Sequence, residues 1–258
     1  MTTALSVRNL SLRRGNRPIL QEINLTLQAG TLSAILGSNG AGKSSLFNSI
    51  GGELPYEGDI EILGQPRQHW QRAALAKRLA ILPQSSSLNF DFLCHEVVQL
   101  GRLPHRSGQQ ADRRIADHCL AQVGATHLAD RPYPALSGGE KQRVHLARVL
   151  AQLQDDTATG QPNLLLLDEP TSALDLKYQH QILQQVSNYA RQGHAVLVIL
   201  HDLNLAARYA DRLILLHQGR CYAEGSPEQV LTPAAVKTVF GIEVSLMRHP
   251  QSGVIQVF

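Results

Sequence analysis

The sequence predicts an α/β fold built on a parallel sheet, and three observations carry that prediction. Residues 31–36, 164–167 and 196–200 are apolar runs, too short for helices and nearly uninterrupted, as strands buried on both faces are. Each run stops at chemistry: Gly37, the Asp168-Glu169 pair and His201. Between the first two runs, residues 89–150 change texture to helical periodicity with no strand pattern. Ligands collect at the carboxyl ends of parallel strands, so the three stops are candidates for one site.

The elements follow in order. Ile23, Leu25 and Leu27 alternate with Asn24, Thr26 and Gln28, the period of a half-exposed, antiparallel strand. Residues 31–36 form a buried strand feeding a glycine loop, and residues 44–50 supply the helix after it. The stretch 111–123, closing at Gly124, and the stretch 140–150 are helical. Residues 212–216 and 220–223, joined through His217-Gln218-Gly219, are a late hairpin. Residues 154–162 (QDDTATGQP) are an exposed polar loop. The expected organisation is one domain over 1–258, with 1–88 and 152–258 as an α/β core carrying an antiparallel β subdomain and a C-terminal extension. The helical segment 89–151 is inserted into it.

Composition narrows the function classes. A chain of 258 residues with 43% hydrophobic and 17% charged residues is ordinary for a globular protein. The net charge of +3 is spread rather than blocked, which argues against a nucleic-acid partner. Cys94, Cys119 and Cys221 make no CxxC pair, so structural thiols in a reducing compartment are expected. Met1-Thr2-Thr3-Ala4 starts no secretory signal. No apolar run approaches the roughly 20 residues of a membrane span, so any membrane role is peripheral.

Gly37-Ser38-Asn39-Gly40-Ala41-Gly42-Lys43-Ser44 matches G-x-x-x-x-G-K-[ST] between a predicted strand and a predicted helix, the context that a Walker A loop requires. Its glycines let backbone N–H groups converge on phosphate oxygens, and the helix adds its positive end. Lys43 would reach the β- and γ-phosphates, and the Ser44 hydroxyl would ligate Mg²⁺. Ser45 continues the helix start beside the phosphates. Asp168 is placed to hold the Mg²⁺ water shell. Glu169, one residue on, faces elsewhere and could polarise an attacking water as general base. A solvated acidic turn is the plain alternative for the pair taken alone. His201 could contact the γ-phosphate or that water. Gln84, after Ile81-Leu82-Pro83, lies where the core hands over to the helical insertion and could sense Mg²⁺ or water.

Ser137-Gly138-Gly139-Glu140 opens the helix whose apolar residues include Val144, Ala147, Leu150 and Ala151. Taken alone it is a capping box, Ser137 at N-cap and Glu140 at N3. Two glycines go beyond what a cap needs. They suit close approach of another molecule's phosphate to bare N–H groups.

These motifs, in this order, resemble the nucleotide-binding subunits of ABC transporters over essentially the whole chain. The resemblance assigns Lys43 and Ser44 to Walker A, Gln84 to the Q-loop and Ser137, Gly138, Gly139 and Glu140 to the signature. Asp168 and Glu169 become Walker B, Ser172-Ala173-Leu174-Asp175 the D-loop, and His201 the switch. It implies an ATPase using ATP and Mg²⁺, working as a head-to-tail homodimer. One copy's residues 37–45 would be covered by the other's Ser137–Glu140 and Asp175. It also implies two copies of a transmembrane permease docked near residues 90–106, a periplasmic substrate-binding protein reached through that permease, and a place on the cytoplasmic face of a bacterial inner membrane.

Leu100-Gly101-Arg102-Leu103-Pro104-His105 is similar to a segment of importers of iron-siderophores, cobalamin and haem. The polar loop after residue 153 and Arg248-His249-Pro250 resemble the haemin-importing branch. Cobalamin or ferric-siderophore import is the other cargo reading; a soluble ABC-type ATPase acting on DNA or ribosomes is a reading of another class. One departure stands out. The family stacks adenine on an N-terminal aromatic, but the matching stretch is Leu12-Arg13-Arg14-Gly15, and no Tyr, Phe or Trp precedes Phe47. An arginine plane or Leu12 would have to serve instead.

Overall fold

The computed structural model describes residues 2–84, 90–154 and 160–258. The chain opens with two long strands, β1 (Thr3–Arg14) and β2 (Arg17–Gln28), paired antiparallel across a Gly15-Asn16 turn. In β2, Ile23, Leu25 and Leu27 are buried while Asn24 and Thr26 face water, as the alternation predicts. Strand β3 (Leu32–Leu36) is buried at every position and runs through the glycine loop into helix α1 (Lys43–Gly51). Strands β4 (Glu57–Ile62) and β5 (Gln65–Pro66) complete an antiparallel sheet ordered β2-β1-β4-β5. The short helix α2 (Arg72–Leu75) leads into β6 (Leu79–Leu82).

Three helices follow: α3 (Cys94–Gln99), α4 (Gln109–Gln122) and α5 (Gly138–Leu153). Helix α4 ends where Gly124 takes φ 66, the left-handed conformation that glycine adopts without strain. The chain then returns through β7 (Leu164–Asp168), α6 (Leu176–Arg191), β8 (Ala195–Ile199) and α7 (Leu203–Tyr209). Strands β9 (Arg212–His217) and β10 (Arg220–Gly225) form the expected late hairpin. Its two-residue turn, Gln218-Gly219, has φ 48 and 77, the pair of positive values that a type I′ turn needs. Helices α8 (Pro227–Val230) and α9 (Pro233–Phe240) precede a small hairpin, β11 (Leu246–Arg248) and β12 (Ile255–Val257), in which Arg248 ends a strand and His249-Pro250 begin the turn.

The central sheet is ordered β10-β9-β3-β8-β7-β6, parallel except for the β10 edge. Its strands alternate between two hydrophobic cores. Leu165 and Leu167 of β7, with Val196 and Val198 of β8, pack toward the α3–α6 side. Leu164, Leu166, Ala195 and Leu197 pack with α1 and the antiparallel sheet. Both faces are covered, which is why these strands read as unbroken apolar runs. The adjacent strands β3, β8 and β7 bring the carboxyl-end residues of all three runs to one edge.

In the helical region, Arg102 is 2% exposed, contrary to its apparent place on a docking surface. Its guanidinium donates to the carbonyls of Ala151 and Gln154, capping the end of α5, and bonds Ser107 at 3.0 Å and Asp112 at 3.2 Å. A Cβ on Gly101 would lie 2.2 Å from the Arg148 carbonyl, so this segment seats directly on α5. Residues 88 and 89, where the expected boundary of the insertion falls, and residues 155–159 of the expected polar loop lie outside the described residues.

Candidate active site

The loop at 37–42 is shaped by what surrounds it. Gly37 has φ 154, and a Cβ there would meet the Leu216 carbonyl at 2.3 Å; at Gly42, with φ 102, it would meet Leu20 Cδ2 at 2.6 Å. Neither position admits a side chain, so the loop lies against β9 and β2 as bare backbone. Gly42 is the N-cap of α1 and offers no side-chain cap, leaving the first-turn N–H groups for an anion. Lys43 is buried, its ammonium donating to the Gly37 carbonyl at 2.7 Å and the Ser38 carbonyl at 3.1 Å. Burial lowers its pKa, and the charges of Glu169 and Asp168 work against that shift.

Asp168 ends β7 in a buried position, hydrogen-bonded to Ser44, while its Oδ1 has no hydrogen-bond partner. Burial pushes its carboxyl above the usual range and the Glu169 charge adds to that, with Ser44, Lys43 and His201 opposing. A buried carboxylate oxygen left without a partner is costly unless something cationic meets it.

Glu169 leaves the strand with φ 51, left-handed backbone that a bulky residue rarely takes. The next turn holds it there: Ser172 donates from its N–H and its Oγ to the Glu169 carbonyl, at 3.3 and 3.1 Å. The carboxylate is thereby aimed at two partners. Gln84 Nε2 donates to Glu169 Oε2 at 2.9 Å, and His201 Nε2 meets Glu169 Oε1 at 2.5 Å. Two residues from the ends of two other strands, Gln84 after β6 and His201 after β8, therefore converge on the carboxylate that follows β7. Sequence gave each a separate role; their direct bonding is new.

The signature residues are tied among themselves. Ser137 N–H and Oγ donate to Glu140 Oε2 at 2.8 and 2.9 Å, Glu140 N–H returns a longer bond to Ser137 Oγ, and Arg131 holds Glu140 Oε1 at 3.0 Å. These bonds lower the Glu140 pKa, those from Ser137 first. Asp175 is the N-cap of α6, accepting from Tyr178 N–H at 3.0 Å. Gly139 has a reason within its own chain: a Cβ there would lie 3.0 Å from the Ala173 carbonyl. The segment 172–175 thus packs on the start of α5, linking Glu169's turn to Ser137. Gly138 has only ordinary contact, with the Cβ of Ala173 at 3.8 Å, and its backbone remains open to a visitor. Of the two contacts proposed for a base, Leu12 is removed, because its side chain is buried with the β1–β2 core. Arg13 is tied to the Asn16 carbonyl at 2.9 Å, and Arg14 is exposed.

This arrangement of a phosphate loop, a buried acid and a bridged carboxylate has close counterparts. The family model described as ABC transporter matches residues 20–172. The chain belongs to the ABC transporter family. Within it, the chain is 54% identical over 261 residues to the Hemin import ATP-binding protein HmuV of Plesiomonas shigelloides, covering 97% of this chain and 100% of that one. The protein of the same name from Pseudomonas aeruginosa is 54% identical over 251 residues, covering 96% and 97%. Among solved structures, a chain of an inward-facing metal-chelate type ABC transporter superposes with TM-score 0.81 at 28% identity, covering 99% of this chain and 97% of that one. A dimeric bacterial ABC transporter cassette superposes with TM-score 0.75 at 28% identity, covering 86% and 98%. The fold is therefore that of an ABC ATPase, and the chain is an ATP-hydrolysing transport subunit. Among the described residues no helix is long and apolar enough to cross a membrane.

Proposed function

We propose that this ABC ATPase drives import of haemin across a bacterial inner membrane. The observation that carries the cargo is the end-to-end match, at 54% identity, to a protein named for hemin import. In this reading two copies stand head to tail on the cytoplasmic face, beneath two copies of a permease that receives haemin from a periplasmic binding protein. Residues 1–88 and 152–258 serve as the nucleotide core and 89–151 as the insertion that touches the permease. Phe90 and Leu103, at 69% and 73% exposure, supply the apolar contact for that docking, while Gly101 and Arg102 hold the segment to α5. Haemin itself touches the permease and not this chain.

The site residues divide the chemistry. The N–H groups of residues 38–45 and the Lys43 ammonium bind the β- and γ-phosphates of ATP. Mg²⁺ fits Ser44 and Asp168, since a partnerless buried carboxylate oxygen beside a hydroxyl is a hard oxygen donor set; Gln84, whose Nε2 donates to Glu169, would offer its amide oxygen as a further ligand. When bound, the ion offsets phosphate charge. Glu169 takes the proton of the attacking water, and His201, bonded to it at 2.5 Å, holds that carboxylate and faces the transferring group. Ser137, Gly138, Gly139 and Asp175 of the second copy cover the γ-phosphate, so neither copy completes a site alone.

Reconstitution in proteoliposomes with the permease tests this. ATP hydrolysis should rise when haemin is delivered through its binding protein; a rise with cobalamin or a ferric siderophore instead would reassign the cargo. Ser137→Arg should abolish ATP-induced dimerisation measured by light scattering, and an unchanged dimer would remove the composite site. Co-purification with nucleic acid in place of a polytopic membrane protein would favour the soluble ATPase reading.

A further inference from the structure

The C-terminal hairpin reaches the site through one side chain that sequence motifs do not mark. Just beyond the open end of β11–β12, Ser245 and Phe258 exchange both backbone hydrogen bonds, at 2.9 and 3.0 Å, so the next pair, Leu246 and Val257, is a non-hydrogen-bonded one. The N–H and C=O of Val257 consequently point to the outer edge of the hairpin. Both are taken by Asn204: Val257 N–H donates to Asn204 Oδ1 at 2.7 Å, and Asn204 Nδ2 donates to the Val257 carbonyl at 3.1 Å. Among the side chains in their neutral-pH forms, the carboxamide is the group that sets a donor and an acceptor side by side in this way. It stands in for a third strand.

Asn204 lies in α7, which has seven residues, too few to hold its own shape or direction without tertiary contacts. Its N-cap is Asp202, whose carboxylate accepts from the N–H groups of Asn204 and Leu205 at 2.8 and 2.9 Å. His201 immediately precedes that cap. The start of α7 is therefore pinned from two sides, by the sheet, where Leu200 N–H bonds the Ile35 carbonyl at 3.1 Å, and by the hairpin through Asn204. The hairpin is itself anchored, with Ile255 buried and Val254 and Val257 packed on the larger core.

We propose that Asn204 is a positioning residue: by clamping the first turn of α7 to Val257 of the C-terminal hairpin, it sets the place of the His201 imidazole against the Glu169 carboxylate. This rests on the role of His201 given above. A short helix freed at its first turn shifts by fractions of an ångström, and such misplacement of a catalytic group is enough to slow chemistry without touching nucleotide contacts.

The experiment is a double-mutant cycle on the full chain, reading phosphate release and ATP affinity. Asn204→Leu, of similar volume but with neither donor nor acceptor, should lower kcat about tenfold and leave KM for ATP within about twofold. Asn204→Asp keeps the acceptor for Val257 N–H and loses the donor, and should fall between Asn204→Leu and the native chain. In a His201→Ala background, Asn204→Leu should have almost no further effect, because its action passes through the missing ring. A full tenfold loss in that background, or equal changes in kcat and KM, would overturn the inference. So would native turnover of Asn204→Leu when His201→Ala is crippled, leaving the His201 role standing. Native turnover of His201→Ala alone would instead remove that role and the inference with it.

Discussion

Replacing Glu169 by Gln isolates chemistry from structure at the centre of the site. The substitution keeps the shape of the side chain and its left-handed backbone at φ 51. One of its two partners, Gln84 at 2.9 Å or His201 at 2.5 Å, still meets a carbonyl oxygen. The other meets an NH₂ group, which Gln84 accommodates by turning its amide and His201 by its neutral tautomer. The structural loss is the difference between charged and neutral hydrogen bonds, about 1 kcal/mol, or a fall in Tm of about 2–4 °C for a chain of this size. The chemical loss is far larger. A carboxamide accepts no proton, and removal of a general base costs at least about a hundredfold, or about 2.7 kcal/mol in the barrier. Lys43 keeps its two carbonyl contacts and Asp168, so ATP should bind as before. The assay is phosphate release at saturating ATP and Mg²⁺, with equilibrium ATP binding and a melting curve on the same sample. Release within about tenfold of the native rate would remove Glu169 from the proposed role. Loss of ATP binding together with a collapsed Tm would make it a structural residue.

Further outcomes follow from packing and charge. Gly101→Ala places a Cβ 2.2 Å from the Arg148 carbonyl, about 1 Å inside ordinary carbon–oxygen contact, and should destabilise the chain by about 1–3 kcal/mol; an unchanged urea midpoint would show that this segment gives way freely. His194 accepts from Asn163 N–H at 3.2 Å and stacks on Tyr189 at 4.3 Å, and its pKa lies below the usual value, through burial first and Arg78 second. The folded chain thus resists a proton that the unfolded chain accepts. The stability from neutral His194 is complete above about pH 6.5 and drains away as pH falls from there toward the lower folded value. His194→Phe should flatten the decline of Tm over that window, and an equal slope in both chains would refute the assignment. Burial pushes the Cys94 and Cys119 thiols up to about 11 and about 12. A disulfide reagent at neutral pH should therefore modify the half-buried Cys221 first and reach the other two only on unfolding; rapid labelling of Cys119 in the native chain would contradict the packing.

How much of this was legible beforehand differs by residue. The alternation in β2 and the unbroken apolar runs of β3, β7 and β8 announce themselves, because burial on one face or two writes directly into the residue pattern. The hairpin at 212–223 was visible through its Gly219 turn. The β11–β12 hairpin was not, since three-residue strands are too short to show a period and their pairing is completed by Asn204, far away in the chain. Arg102 looked like surface and is buried, because the carbonyls that satisfy it belong to α5. Gly139 suits close approach of a second molecule, and its own Ala173 carbonyl, 3.0 Å from where a Cβ would stand, adds a reason within the chain that the sequence does not show.

The sequence by itself determined which groups can handle phosphate and in what order they come, since glycine spacing, a lysine and strand-ending acids are local properties. Only the tertiary structure decided that Gln84 and His201 meet on the one carboxylate of Glu169, 85 and 32 positions away. Such convergence depends on strand order in the sheet and on a single left-handed residue at a strand end. Strand order is set by long-range packing, which no local pattern of residues encodes, while the turn to Ser172 holds Glu169.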